Sequence, residues 1–359
     1  DVPGGKISLQ GAAAYPQPSN LQVAALPTVF LSPSAKLLSR GATVHTPDSF
    51  GRNTGFVLPG GSITIRGNIL AQAGSLLDVS GTSDTLDFHP SALNPGALPK
   101  AFAGLTTKPW GQQSVSVKVD SDGGTIKLRG ENLLLSDATL RGSAGGPSAV
   151  GGTLSVSSSR FVALSGDQIN LVVQQSGNVI PANNTNPGIG KPVLAASGEN
   201  LPGMGYFAVE KFQRGGFDNL DLGYDELTDG SARPGNVRFQ GDVSISAKGG
   251  IRMAGGGKAP LSGGGLIEAE NSVRLTASYI SIGQILGRFP FKDSTQLDIP
   301  VSPSGGSGSL SLRANLVDLG SMVLRDAGRF DITADHGDIR GTGTVAVEDL
   351  ADRFEVTPQ

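Results

Sequence analysis

Cysteine is absent from this 359-residue chain, which excludes disulfides, thiolate catalysis and thiolate metal sites. A chain that crosses a membrane unfolded also gains from having no thiol to oxidise. Histidine is nearly absent. His45, His89 and His336 lie far apart, so a histidine-based triad or a transition-metal cluster has no local basis and no resident cofactor is expected. Charged residues make up 16%, against a usual share of ~25%. No Lys/Arg-rich run stands out from a formal net charge of -3, which argues against nucleic acid and anionic membrane surfaces as partners. No stretch approaches the ~18 consecutive apolar residues of a spanning helix, so no membrane insertion is expected. Aromatics are 5%, leaving Ile, Leu, Val and Ala to build a core.

Glycine is in excess, at 53 residues, roughly twice its usual share. A hydrophobic content of 38% still argues against global disorder. The length alone would suggest about two ordinary domains; the internal repeats argue for a different organisation. A short motif recurs, with one or two glycines or a small polar residue ahead of two apolar residues spaced by two. It appears as GGKISLQG (4–11), GGSITIRG (60–67), GGTIKLRG (123–130) and GGTLSVSS (151–158). Later copies are GNVRFQGD (235–242), DVSISAKG (242–249), NSVRLTAS (271–278), GSLSLRAN (308–315) and RFDITADH (329–336). Pairs such as Ile63 and Ile65, or Ile126 and Leu128, share one face of a strand; Thr64, Arg66, Lys127 and Arg129 take the other. A second short strand follows most copies, in LLDVSG (76–81), DATLRG (137–142) and YISIGQ (279–284). Gly, Asn, Ser and Asp lie between, as bends require.

Closely spaced copies recur about every 20 to 30 residues, the length of one solenoid coil. The pattern predicts an all-β chain folded as a right-handed parallel β-helix, although the pattern itself does not set the hand. One coil cannot bury its apolar face alone; stacked coils can. A β-sandwich or barrel also uses short alternating strands, but neither needs this much glycine or a repeated glycine–strand–bend–strand cycle. The whole chain, 1–359, reads as one continuous segment. It begins DVPGGKI, without Met or an apolar signal segment, and is read as a piece of a longer polypeptide.

Four proline- and aromatic-bearing stretches break the rhythm, at about 12–59, 82–114, 176–235 and 284–306. Proline lacks the N–H a ladder requires, so these are expected to leave the stack. Within the third, MGYFAVEKFQR (204–214) predicts one short helix. Phe88, Phe102, Trp110, Phe289 and Phe291 fall in these excursions and are the candidate partner-contact residues, for carbohydrate or protein. Anchoring of each loop to the stack is the simpler role for the same rings.

Catalytic signals are thin. GIGKPV (188–193) and AGGGKAP (254–260) lack the spacing of a phosphate loop and read as turns. Parallel β-helices include polysaccharide-cleaving enzymes with clustered aspartates, so Asp120 with Asp122, and Asp331 with Asp335 and Asp338, are the carboxylates to follow. Solenoid bends need Asp as well, and no column of acids on one face is legible. The acidic run DNLDLGYDELTDG (218–230) lacks a calcium-loop ligand pattern. The chain is not expected to be an enzyme.

LPGGSITIRGNILAQAGSLLDVSG (58–81) resembles repeats of filamentous-haemagglutinin-like exoproteins, which Gram-negative bacteria secrete by the two-partner route. GGFDNLDL (215–222), followed by GNVRFQGDVSISAKGGIRMAGG (235–256), is similar to another recurring unit of that family. The resemblance covers most of the chain outside the excursions and lies in repeat style. It implies a long right-handed β-helix at the cell surface, serving as adhesin, biofilm-matrix protein or toxin-bearing stalk. It also implies an outer-membrane secretion partner for the parent protein, and an extracellular polysaccharide or cell-surface receptor as ligand. The family's asparagine-rich secretion motifs and a toxin module have no counterpart here, so the segment is similar to the interior shaft. A polysaccharide-degrading β-helix enzyme is the alternative.

Overall fold

The computed structural model describes residues 1–11, 26–46, 49–88, 114–158, 169–184, 186–201, 203–223, 236–253, 265–283, 304–320 and 322–341. The chain is almost all-β. Most strands join one large parallel sheet, beside a smaller parallel sheet and two antiparallel pairs.

A first ladder runs through β1 (Lys6–Gln10), the first half of β6 (Ser62–Ala71) and the first half of β10 (Thr125–Ser136). It continues through β12 (Thr153–Ser158), β15 (Asn219–Leu222), β18 (Gly250–Met253), β21 (Tyr279–Ile282), β23 (Leu316–Leu319) and β25 (Ile339–Gly341), every pairing parallel. The expected alternation is realised. Ile63, Ile126, Leu154, Leu220, Ile251 and Ile280 lie in register and are fully buried. Between them and the next buried row stand Thr64, Lys127, Ser155, Asp221, Arg252 and Ser281, on the opposite face.

The second ladder takes β2 (Val29–Leu31), the later halves of β6 and β10, then β14 (Gly205–Ala208), β13 (Leu171–Gln174), β16 (Val237–Gln240) and β19 (Leu266–Ala269). It ends on the first residues of β24 (Val323–Ala334). The third begins as β3 (Lys36–Leu38), β7 (Leu76–Asp78) and β11 (Thr139–Arg141). It resumes as β17 (Val243–Ser246), β20 (Ser272–Thr276), β22 (Ser304–Ala314) and the later part of β24. One buried apolar cluster runs inside the ladders from Val29 to Val317. Cross-layer hydrogen bonds give the period directly: 30 residues for Arg238–Glu268 and 22 for Arg313–Asp335. The recurring motif is therefore one rule used on three sides. Its first four copies lie in the first ladder, Val237–Gln240 in the second and the remaining copies in the third.

The double glycine has a specific cause. A Cβ on Gly61 would overlap the carbonyl oxygen of Gly5, one on Gly124 that of Gly61, and one on Gly152 that of Gly124. Each glycine rests on the carbonyl of its counterpart one layer below, so close approach, rather than positive φ, demands it. At the next corner stand asparagines. Asn132 N–H donates to Asn68 Oδ1 at 2.9 Å, Asn236 N–H to Asn170 Oδ1 at 3.2 Å and Leu266 N–H to Asn236 Oδ1 at 3.1 Å. Asn68, Asn170 and Asn236 are buried, and these bonds satisfy corner amides that water cannot reach.

Several expectations need correction. Range 12–59 does not leave the stack throughout, because β2 and β3 pair with β6 and β7. Range 176–235 likewise returns as β14 and β15. Proline marked the loops, but the apolar runs beside it find ladder partners. Residues 284–303 of the last range lie outside the described residues. The helix predicted over 204–214 is shorter and later. Gly205–Ala208 is drawn into a strand between two ladder neighbours, and helix α1 spans Glu210–Gly215, ending on left-handed Gly216 at φ 72°. It occupies the third-ladder place between β11 and β17, where Lys211 Nζ donates to the Asp137 carbonyl at 3.2 Å and Gln213 Nε2 to that of Ser244 at 3.1 Å. Large rings do enter the core here: Phe207, Phe212 and Phe239 are almost fully buried. They fill the interior that a helix, standing where a strand would lie, leaves open.

Gly124→Ala should separate two layers and cost about 1–3 kcal/mol, as overpacking does. Gly305, which has nothing within 4 Å of an added Cβ, should accept Ala with little change. Urea midpoints of the two variants check this; equal midpoints would refute the close-approach account.

Candidate partner-contact surface

Two antiparallel hairpins leave the stack at equivalent corners of consecutive layers. The first, β4 (Ala42–His45) with β5 (Gly55–Leu58), lies between β3 and β6; the second, β8 (Ser83–Phe88) with β9 (Val115–Asp120), between β7 and β10. Polar links join them. His45 Nε2 lies 2.8 Å from Asp84 Oδ2, Asn53 N–H donates to Asp87 Oδ2 at 2.8 Å, and Asp87 N–H donates to the Asn53 carbonyl at 2.8 Å. Leu86 of β8 is buried at 1% exposure. The two hairpins form one lateral arm.

This arm carries exposed apolar side chains: Phe50 is 59% exposed, Phe56 51% and Val44 37%. Val44 and Phe56 face each other across the β4–β5 pair, so they form one patch. The Arg52 guanidinium sits 5.3 Å from the Phe50 ring centroid, an arrangement that holds a ring face in place. Of the residues proposed from sequence, Phe88 ends β8 on the same arm, opposite Val115 and half-buried. Phe102, Trp110, Phe289 and Phe291 lie outside the described residues. Phe50 and Phe56 escaped the sequence reading, although the stretch SFGRNTGFVLPGG (49–61) shows two aromatics among turn residues.

Most of the candidate carboxylates are engaged in contacts between layers, and Asp331 pairs within its own strand. Asp120 accepts from the Ser148 hydroxyl at 2.8 Å and its amide at 3.2 Å, which holds its pKa below the usual range. Asp122 accepts from Val150 N–H at 2.8 Å. Arg313, at 2.9 Å, holds the Asp335 carboxyl low, and Asp331 pairs with Arg329 at 2.6 Å. In the acidic run, Asp218 accepts from Gly151 N–H at 2.6 Å and Asp221 pairs with Arg252 at 2.7 and 2.9 Å; residues 224–230 lie outside the described residues. Among the described residues no group of three or more His, Asp or Glu could hold a metal ion, and no helix is long and apolar enough to cross a membrane. GIGKPV is a turn tied by Gly190 N–H to the Pro27 carbonyl at 3.0 Å; AGGGKAP lies outside the described residues.

Comparison with protein-family models, curated proteins and solved structures finds no match to the chain.

Along the outer row of the first ladder, Asp318 receives both Arg340 Nε at 2.8 Å and Nη2 at 3.0 Å, with the Tyr279 hydroxyl at 2.7 Å. The Arg340 hydrogen bonds depress the Asp318 pKa against the opposing effect of burial, and the Tyr279 hydroxyl adds a smaller lowering. A depressed aspartate stabilises the fold above its ordinary value of 3.8 and loses that contribution as pH falls through the lower folded value. Arg340→Gln should therefore raise the Asp318 pKa, measured by carboxyl-carbon NMR titration. An unchanged titration would show that Arg340 does not set it.

Proposed function

We propose that the chain is a shaft segment of a secreted bacterial surface adhesin or biofilm-matrix exoprotein, built as a right-handed parallel β-helix. The observation that carries this reading is the first ladder: parallel strands in register from β1 to β25, apolar within and polar without. Eight steps at ~4.8 Å make a rod about 40 Å long from these layers. Parallel connections are almost always right-handed, which supports the hand. The resemblance to filamentous-haemagglutinin-like repeats supports the rest: a Gram-negative cell surface, export by an outer-membrane partner, and a polysaccharide or surface receptor as ligand. Absence of cysteine suits a chain exported unfolded.

The mechanism is geometric. Stacked backbones form a stiff spacer, and the lateral arm displays aromatic side chains away from it. Asp120 holds Ser148 through Oδ2 while its Oδ1 lies buried 3.7 Å from Lys118 Nζ, and Asp335 pairs with Arg313, which favours a structural over a hydrolytic role.

Titration of the full chain with matrix and cell-surface polysaccharides tests the reading, following Trp110 fluorescence and co-sedimentation. A saturable response weakened by Phe50→Ser with Phe56→Ser is the expected result. No binding to any of them would leave a plain spacer. Depolymerisation of a polysaccharide, abolished by Asp120→Asn, would replace the reading with an enzyme.

A further inference from the structure

Strand order in the second ladder departs from chain order. β13 comes first in sequence, yet it lies one layer beyond β14, giving the order β10–β14–β13–β16. Both ladder partners of β13 therefore lie downstream of it in the chain, at residues 205–208 and 237–240. When β13 first becomes available, the strand half already in place is Leu134–Ser136 of β10. The two are compatible. Gly205 is in register with both Leu134 and Leu171, and Tyr206 with both Leu135 and Val172. Removing β14 would thus set Leu171 on Leu134, both facing the main core, and Val172 on Leu135, both on the opposite face.

The inserted strand fits tightly. A Cβ on Gly205 would lie 2.5 Å from Ser158 Cβ and 3.0 Å from Leu171 Cδ1, so only glycine enters the gap. Ser136 Oγ and Ser158 Oγ are buried there without a hydrogen-bond partner, polar groups that no strand on this ladder satisfies. The insertion also keeps the layers level. Between β10 and β23 the first ladder holds β12, β15, β18 and β21; between β10 and β24 the second holds β14, β13, β16 and β19. Without β14 the second ladder would be one strand short.

We infer that β13 first pairs directly with β10 during folding, and that β14 later wedges between them, lifting β13 by one layer. The chain is a conformational two-step at this point, with Gly205 as the leading edge of the wedge.

The absence of cysteine makes the test clean. Leu135→Cys with Val172→Cys reports the early pairing, and Leu135→Cys with Tyr206→Cys the inserted one. Adjacent strands are ~4.8 Å apart, whereas residues two strands away, about 10 Å, exceed the ~7 Å reach of a disulfide. Thr64→Cys with Lys127→Cys, neighbours in the first ladder, reports that the stack itself has formed. Full-length variants are refolded and oxidised in short pulses. The expected result is early crosslinking of 135 with 172, falling as 135 with 206 rises, and a Gly205→Ala background that slows the exchange roughly tenfold or more. Crosslinking of 135 with 206 from the start, with 135 and 172 never joined, overturns the inference. So does a 135–172 crosslink that persists in the fully folded chain. If Gly205→Ala prevents the 64–127 crosslink, the time course in the parent background decides alone.

Discussion

The first four layers of this protein rest on one another through a glycine α-carbon seated on a carbonyl oxygen. In the column Gly5, Gly61, Gly124 and Gly152, a Cβ on any of the last three would overlap the carbonyl of the glycine beneath it. That contact lets neighbouring strands close to hydrogen-bonding distance at the corner where the first ladder begins. Once the distance holds there, Ile63, Ile126 and Leu154 fall into one buried row and their backbone amides pair with the layer below. Burial of such a row stabilises by about 1.5–3 kcal/mol per fully buried side chain, but only when layers meet without a gap. The glycine thus acts through geometry, and the apolar side chains convert that geometry into stability.

Outside the rows, the same spacing brings charges into contact at one-layer intervals. Arg66 meets Glu131 at 2.9 Å, Arg238 meets Glu268 at 2.9 Å and Arg252 meets Asp221 at 2.7 Å. The arginines are 37–38% exposed and their carboxylates 7–13%, so each pair lies at the boundary of the protein. Solvent weakens such pairs, and individually they are worth on the order of 1 kcal/mol or less. Their larger effect is on register. A slip by one residue turns each charge towards the core, which a narrow apolar interior cannot accept.

Much of this was legible in the sequence, and the reasons for the remainder are physical. Apolar pairs at spacing two, such as Ile126 and Leu128, predicted strands with buried faces, and the repeat length predicted stacking. What the pattern could not tell is which side of the stack a copy occupies, because Val243 and Ile245 in the third ladder obey the same alternation as Ile63 and Ile65 in the first. Asparagines 68, 132, 170 and 236 each precede an apolar residue, a signal for a buried corner that reads equally well as an ordinary bend. Proline marked interruptions but not their extent, since Val29–Leu31 and Gly205–Ala208 lie near prolines yet join ladders. The aromatic arm was half visible: Phe88 was identified, while Phe50 and Phe56 emerge only once β4 and β5 pair and turn their outer face to solvent.

Two kinds of interruption place different demands on the stack. The hairpins β4–β5 and β8–β9 depart after a third-ladder strand and return before a first-ladder one, so the layers flanking them keep their partners whatever the hairpins do. Such a corner tolerates changes in length and surface, because loop closure costs little more as a loop grows. The segment that carries β14 and α1 is different. It enters the second ladder, displaces β13 and replaces a third-ladder strand with a helix, and the stack remains level only because no strand lies between β19 and β24. Variation in sequence is therefore cheap on the arm and expensive at β14. The arm is where surface residues can change without rebuilding the layers, and the β14 region is where the layers themselves constrain the sequence.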